Sequence, residues 1–121
     1  MKPRIDATTF GSITVAGRTY RYDVIIRSSG AVEKRRKRLS KELNGTSHRI
    51  SQREAEHVYE EGARECVIGS GQNDSARLSD EAAEFFSARG CKPRVRPTSE
   101  AIEYWNNHAE EDAVGLFHVT C

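Results

Sequence analysis

The chain has few cysteines, no long apolar run and none of the common catalytic or metal-binding motifs. Its three cysteines, Cys66, Cys91 and Cys121, are too few and too scattered for a disulfide framework, and none forms a CxxC pair. Zinc and dithiol redox sites are therefore disfavoured. Cys66 and Cys91 open predicted buried strands, where a free cysteine behaves as a small hydrophobic residue.

The sequence also lacks a membrane or export signal. No stretch approaches the roughly 18 apolar residues of a membrane helix. The first six residues, MKPRID, lack the apolar core of a signal peptide. With 36% hydrophobic and 31% charged residues, we expect a cytoplasmic protein with no membrane partner. A length of 121 residues predicts a single domain over 1–121.

Catalytic and cofactor motifs are missing as well. The sequence contains no HExxH, no G-x-S-x-G and no metal-ligand spacing of cysteine, histidine and aspartate. The dinucleotide pattern GxGxxG would need a glycine at position 74, where the chain has Asp74, and the phosphate loop GxxxxGK[ST] is absent. We therefore predict no metal and no cofactor, and the sequence leaves open whether the protein is an enzyme.

Charge is distributed unevenly along the chain. The net charge is +1, but residues 1–50 contain 12 Lys and Arg against 4 Asp and Glu, whereas residues 51–121 contain 7 against 14. Such a dipolar chain can associate head-to-tail or present a basic face to an anionic partner. Charge alone does not choose between these possibilities.

The N-terminal half is rich in β-forming residues. Ser12–Ala16 and Thr19–Ile26 flank a short glycine turn, a pattern typical of a β-hairpin. Residues 31–35 are predicted to form a third antiparallel strand. Residues 36–49 are predicted to be an extended loop with a helical turn around Leu39–Leu43.

The C-terminal half alternates helices with short apolar strands. Ser51, Ser79 and Thr98 are predicted helix N-caps, and Glu54 occupies the capping-box position after Ser51. Helices are predicted over 52–62, after Ser79 and after Thr98, and strands over Glu65–Ile68, Lys92–Arg96 and Ala113–Val119. This α-β-α-β-α-β order predicts parallel strands. The fold class is therefore α/β, with a mixed sheet that combines an N-terminal antiparallel hairpin part and a C-terminal parallel part.

The first candidate site is the glycine loop Gly69-Ser70-Gly71-Gln72, which leaves a predicted parallel strand. Ligands usually bind at the carboxyl ends of such strands, and the amides of a glycine loop can bind an anion. His48 could act there as a base or anion contact, and Arg96 ends a neighbouring strand. The alternative is that the glycines turn the chain and that His48 follows a structural hydroxyl turn.

The second candidate site is the basic run that includes Lys34, Arg35, Arg36 and Arg38. Such a run can contact an acidic protein partner or the phosphates of a nucleic acid. No aromatic residue is interleaved and no nucleic-acid module is recognisable, so nucleic acid is the less favoured partner. The alternative is a solvated strand and loop, or an internal match to the acidic helices.

Several segments together resemble the Mth-domain family, over essentially the whole chain. They are Ile5-Asp6, Phe10-Gly11, Tyr22–Ile26, Gly45–Arg49, Val67–Gln72, Thr98 with Glu100-Ala101, and His118–Cys121. The family includes a mitochondrial complex I assembly factor and has no established enzymatic activity. The resemblance implies an α/β domain with a β-rich N-terminal part and a pocket near the glycine loop. Members with an aromatic pair in the third strand differ from this chain, which has Arg35 and Arg36 there.

Two hypotheses follow for function. The first is a non-catalytic binding or assembly module that meets its partner through Lys34, Arg35, Arg36 and Arg38. The second is a protein or enzyme that binds an anionic metabolite or nucleotide in a pocket lined by His48, Gly69, Ser70, Gly71, Gln72 and Arg96. The sequence is silent on oligomeric state and on the identity of the ligand.

Overall fold

Ten strands and four helices are present in residues 2–121, the part of the chain that the computed structural model describes. The strands are β1 Ile5–Thr9, β2 Ser12–Val15, β3 Arg18–Tyr20, β4 Val24–Ile26, β5 Val32–Lys34, β6 Arg49–Ile50, β7 Glu65–Ser70, β8 Arg77–Leu78, β9 Lys92–Arg96 and β10 Val114–His118. The helices are α1 Arg38–Asn44, α2 Gln52–Val58, α3 Asp80–Ala88 and α4 Thr98–Asn107.

The central sheet has the strand order β5-β4-β10-β7-β9. Strands β10, β7 and β9 are parallel, whereas β4 pairs antiparallel with both β10 and β5. A second sheet, β1-β2-β3, is antiparallel, and β6 pairs with β8 over two residues. The predicted mixed α/β fold, with an antiparallel N-terminal part and a parallel C-terminal part, is confirmed.

Side chains from the two faces of the central sheet enter two separate hydrophobic clusters. Cys66 and Ile68 of β7 pack with residues of α2 and α3, whereas Val67 packs with Trp105 of α4 and with the three-stranded sheet. Because both faces are covered, the strands carry continuous apolar runs instead of alternating ones. The sheet therefore lies in the middle of the molecule, and its strand ends are left to form surface features.

The predicted strand Thr19–Ile26 is wrong in one respect, because the chain divides it between two sheets. Arg18–Tyr20 completes the hairpin with β2, and Val24–Ile26 enters the central sheet as β4. The two parts differ in burial: β3 is half-exposed, whereas all three residues of β4 are buried. The break at residues 21–23 places Asp23 immediately before β4.

Two of the three predicted helix caps are confirmed. The Oγ atoms of Ser51 and Ser79 accept hydrogen bonds from the amides of Glu54 and Ala82. The cap at Thr98 is wrong, since Pro97 is the N-cap residue and the Thr98 side chain bonds elsewhere. A hydroxyl three residues before a helical amide satisfies that amide only when tertiary contacts leave the hydroxyl free.

The helix predicted over 52–62 is shorter than expected and ends at Val58. Arg27 Nη1 donates hydrogen bonds to the carbonyls of His57 and Val58, both at 3.0 Å. In a longer helix these carbonyls would accept from the amides of further helical residues. A side chain from a distant segment therefore caps the helix and stops it.

Candidate functional site

One row of residues across the central sheet brings both candidate sites to the same edge. The register aligns Lys34 with Val24, Val24 with Phe117, Phe117 with Gly69 and Gly69 with Arg96. This edge contains the carboxyl ends of the parallel strands, where open α/β sheets usually bind ligands. The residues that follow each strand end therefore form the candidate functional site.

A buried charge cluster, made of Asp23, Arg35, Glu54 and His118, lies at this edge. Asp23 Oδ2 is 2.9 Å from Arg35 Nη1 and 2.8 Å from His118 Nδ1, and its Oδ1 accepts a hydrogen bond from the Val119 amide at 2.8 Å. Asp23 is 1% exposed and Glu54 is fully buried. Each carboxylate is hydrogen-bonded and paired, which is the condition for burying a charge.

Arg35 connects three segments of the chain. Its Nε and Nη2 donate to the two carboxylate oxygens of Glu54 at 2.6 and 3.0 Å, and Nη2 also donates to the carbonyl of Ser47 at 2.7 Å. With its bond to Asp23, the guanidinium holds β4, α2 and the loop before β6 together. Arg35 was predicted to contact a partner, but it is buried and already pairs with Asp23 and Glu54.

The surroundings change the pKa values of Asp23 and Arg35. Burial by itself raises the pKa of Asp23, but hydrogen bonds from the His118 ring and the Val119 amide, together with the positive charge of Arg35, outweigh it and lower the pKa to about 2. For Arg35, burial by itself lowers the pKa, but the hydrogen bonds and negative charges of Glu54 and Asp23 outweigh it and raise the pKa above its usual value. Both groups are therefore charged throughout the neutral range.

Glu54 does not complete a capping box. The Ser51 amide donates instead to Ser40 Oγ at 2.9 Å, while Ser40 and Arg35 donate to the Glu54 carboxylate. A capping glutamate would stay on the helix surface, but a buried guanidinium offers it a charge-assisted bidentate pair. The tertiary contact replaces the local one.

A basic cleft of about 470 Å³ opens above the charge cluster. Its lining residues are Gly11, Arg21, Tyr22, Asp23, Lys34, Arg35, Lys37, Val119 and Thr120. Four of them are cations and one is an anion. Lys37 Nζ lies 3.7 Å from Asp23 Oδ2, and Lys34 Nζ lies 5.3 Å from the centre of the Tyr22 ring.

A second groove of about 350 Å³ adjoins the basic cleft at Lys37. Arg36, Lys37, Arg38, Leu39 and Glu42 line this basic groove. Arg36 and Arg38 are exposed, as is Lys34 in the basic cleft. Three of the four residues that were predicted to bind a partner are thus on the surface, and they line two adjoining depressions.

The glycine loop is filled by the chain's own C-terminal segment. The amides of Gln72 and Asn73 donate to the main-chain oxygens of Thr120 and Cys121, each at 2.7 Å. A Cβ atom on Gly71 would lie 2.6 Å from the Cys121 main-chain oxygen and 2.8 Å from His118 Cδ2. Glycine is needed here because the C-terminal segment and His118 approach the backbone closely.

The other predicted loop residues also make internal contacts. A Cβ on Gly69 would meet Thr98 Oγ1 at 2.9 Å, and Ser70 Oγ donates to Asp74 Oδ1. Gln72 Nε2 donates to Thr8 Oγ1 at 3.0 Å and to the Thr9 carbonyl at 3.1 Å. The Gln72 side chain connects the glycine loop to β1, and none of Gly69, Ser70, Gly71 and Gln72 lines the basic cleft.

The remaining predicted contacts, His48 and Arg96, lie on different sides of this edge. The His48 ring packs edge-on against His118 at 5.3 Å between centroids, so His48 borders the charge cluster. The Arg96 guanidinium lies 4.9 Å from the centre of the Tyr104 ring, beyond β7, and its buried Nε has no hydrogen-bond partner within residues 2–121. The structure therefore does not bring His48 and Arg96 into one pocket.

Most of the residues that line the basic cleft, among them Asp23 and Thr120, were not among the site residues predicted from the sequence. One feature of the sequence marks Asp23 as a candidate site residue: it is an acidic residue directly before three apolar residues in an otherwise basic half of the chain. No such feature marks Thr120, because its place in the cleft follows from the pairing of β10 with β4. His118 Nε2 is 3.4 Å from Thr120 Oγ1.

The described residues contain neither a metal-ligand group nor a membrane span. Within residues 2–121, no three histidine, cysteine, aspartate or glutamate side chains are grouped to hold a metal ion. No helix in the same range is long and apolar enough to cross a bilayer.

The fold and the cleft together define a mixed α/β protein with a basic depression at the carboxyl edge of its sheet. Residues 5–118 match the family described as proteins of unknown function DUF498/DUF598, and the chain belongs to that family. A comparison with curated proteins found none that matches.

Solved structures show the same fold over nearly the whole chain. The conserved hypothetical protein PH1505 from Pyrococcus horikoshii OT3 is 27% identical, with a TM-score of 0.88 and coverage of 98% of this chain and 99% of that one. The protein MT938 is 31% identical, with a TM-score of 0.84 and coverage of 99% and 100%. A Mth938-like domain from Bordetella pertussis, at 16% identity, a TM-score of 0.63 and coverage of 97% and 85%, shows the fold alone. The predicted resemblance to the Mth-domain family is confirmed.

Proposed function

We propose that this protein is a binding module that holds an acidic segment of a protein partner on the basic cleft and the adjoining basic groove. The observation that carries the proposal is the excess of positive charge there without internal neutralisation. Within residues 2–121, Arg21, Lys34, Arg36 and Arg38 form no ion pair, and Lys37 reaches only the already paired Asp23. Exposed like charges on one face attract an anionic partner over a range of about 10 Å.

Two adjoining depressions favour an extended occupant. The basic cleft and the basic groove share Lys37, and both contain cations, so a chain with several carboxylates can contact both at once. Electrostatic complementarity of this kind mainly increases the association rate and selects the partner. The excess of basic residues in positions 1–50 likewise favours an anionic partner.

The burial of the His118 imidazole favours binding over catalysis. His118 is 2% exposed, its Nδ1 is paired with Asp23, and its ring packs against His48 and Gly71. A general base must reach the proton that it removes from a substrate. We therefore assign the buried charge cluster a structural role, as a rigid support for the cations that line the basic cleft.

A charge-reversal experiment tests the proposal. We expect a fluorescein-labelled octaglutamate peptide to bind the wild-type protein in a fluorescence anisotropy titration at low salt. The double variant Lys34→Glu, Lys37→Glu should bind at least about 10-fold more weakly, and binding should fall with added salt. The double variant Arg53→Glu, Lys92→Glu reverses the same number of charges at exposed sites outside both depressions and is the matched control. Equal weakening by the control, or no binding at about 1 mM protein, would contradict the proposal.

A second candidate is a small anionic metabolite bound in the basic cleft. The volume of about 470 Å³ lies within the usual range for small-molecule sites, and the Tyr22 ring gives the cleft an apolar wall. A thermal-shift screen with phosphate esters and dicarboxylates tests it, because ligand at about 100 Kd stabilises the folded state by about 2.7 kcal/mol. A shift that persists in the Lys34→Glu, Lys37→Glu variant would place that ligand elsewhere.

A further inference from the structure

Phe10 is an exposed aromatic residue at the rim of the basic cleft. It is 65% exposed in the turn between β1 and β2, and the next residue, Gly11, lines the cleft. Tyr22, which is 39% exposed, lies in the cleft wall and packs edge-on against Tyr20 at 6.0 Å. Two exposed aromatic rings therefore accompany the unpaired cations.

The turn that carries Phe10 is held in place by hydrogen bonds on both sides. The Gly11 amide donates to the Val119 carbonyl at 2.7 Å, and Gln72 Nε2 donates to the Thr9 carbonyl at 3.1 Å. Thr8 Oγ1 closes the turn by donating to the Ser12 carbonyl at 2.8 Å. A side chain on a fixed turn loses little conformational freedom when it is covered, which favours binding.

Aromatic residues beside cations are typical of the centre of a protein interface. Buried aromatic side chains supply most of the energy, and the surrounding charges select and orient the partner. An acidic segment alone would leave Phe10 in water. An acidic segment with a large apolar side chain would cover it.

We propose that the partner segment is acidic and also carries a large apolar side chain, which packs on Phe10 while its carboxylates contact Lys34 and Lys37. This inference rests on the proposed function and deepens it by naming a second chemical requirement. Gln72 then acts as a positioning residue, because it ties the Phe10 turn to the carboxyl edge of the sheet.

Two labelled peptides of equal charge test the inference. One has four glutamates on each side of a central leucine, and the other has serine in place of the leucine. We expect the leucine peptide to bind the wild-type protein about fivefold to tenfold more tightly, since covering apolar surface adds to the common electrostatic attraction. Phe10→Ala should remove this preference and leave the affinity for the serine peptide unchanged.

The control and the contrary outcomes separate this inference from the proposed function. Val95→Ala alters another exposed apolar residue, on the far edge strand β9, and should keep the preference for leucine. Gln72→Ala should reduce the preference without weakening the serine peptide. Equal affinity for both peptides, or a preference that survives Phe10→Ala, overturns the inference. If neither peptide responds to Lys34→Glu, Lys37→Glu, the proposed function itself fails.

Discussion

Replacing Arg35 with methionine tests whether the buried charge cluster is a unit. The change removes a guanidinium that bonds to Asp23, to both oxygens of Glu54 and to the Ser47 carbonyl, while keeping an unbranched apolar stem. Two carboxylates, 1% and 0% exposed, then lose their shared cation. Breaking a buried pair in this way typically costs about 3–5 kcal/mol, a large part of the roughly 5–15 kcal/mol that stabilises a domain.

Urea unfolding monitored by circular dichroism measures the effect. With a slope of about 2 kcal/mol per molar urea, the midpoint should fall by about 2 M at pH 7. The deficit should shrink as the pH falls towards 4. In the wild-type protein Asp23 remains charged at that pH because its pKa is about 2, whereas in the variant an unpaired buried carboxylate has a raised pKa and takes up a proton.

The neighbouring Arg36→Met variant is the control. Arg36 is exposed and forms no ion pair within residues 2–121, so its loss should change the free energy of unfolding by no more than about 0.5 kcal/mol. A loss below about 1 kcal/mol for Arg35→Met, or a deficit that does not depend on pH, would refute the reasoning about the cluster.

Three further predictions concern single groups. Because the pKa of Asp23 falls from 3.8 to about 2 on folding, its charge contributes about 2 kcal/mol of stability above pH 4, and this contribution is lost as the pH falls towards 2. The variant Asp23→Asn should therefore show a smaller loss of stability with falling pH than the wild-type protein. An equal loss would contradict this prediction. Gly71→Ala should lower the free energy of unfolding, measured in urea, by more than about 2 kcal/mol, because the new Cβ would clash with Cys121 and His118. Gly62→Ala, at a similar positive φ with no atom within 4 Å of the new Cβ, should cost only about 1 kcal/mol, and equal losses would remove the steric argument. Of the three cysteines only Cys121 is exposed, so a thiol reagent should label one site rapidly in the native protein, and Cys121→Ser should abolish that fast phase.

The helices and strands of the C-terminal half follow from local patterns in the sequence. Ser51 and Ser79 begin helices as predicted, and β7 and β10 appear where continuous apolar residues indicated buried parallel strands. These signals are local, because an N-cap or an apolar run acts on residues within one or two turns. The class of fold could therefore be predicted without any knowledge of contacts.

Long-range contacts account for the predictions that were wrong. Arg27 caps α2 from a segment about 30 residues earlier in the chain. The Thr98 hydroxyl accepts from the Gly71 amide and donates to the His118 carbonyl instead of capping a helix amide. Glu54 follows the same rule, since its carboxylate turns from the helix end to Arg35. In each case a long-range hydrogen bond replaces a local one at a helix end. Leaving a buried polar group without a partner costs more free energy than losing a helix cap.

The location of the candidate site was decided by tertiary structure. Arg35 and Asp23 are 12 residues apart, and His118 and Asp23 are 95 residues apart, so their contacts depend on how β4 lies between β5 and β10. By itself the sequence determined the α/β class, the order of the elements and the presence of a basic run. Only the folded chain showed that the glycine loop is filled by residues 120–121, that Arg35 is buried, and that the free cations surround a cleft. The physical reason is that periodicity and caps are short-range, whereas a site is defined by side chains that meet across the sheet.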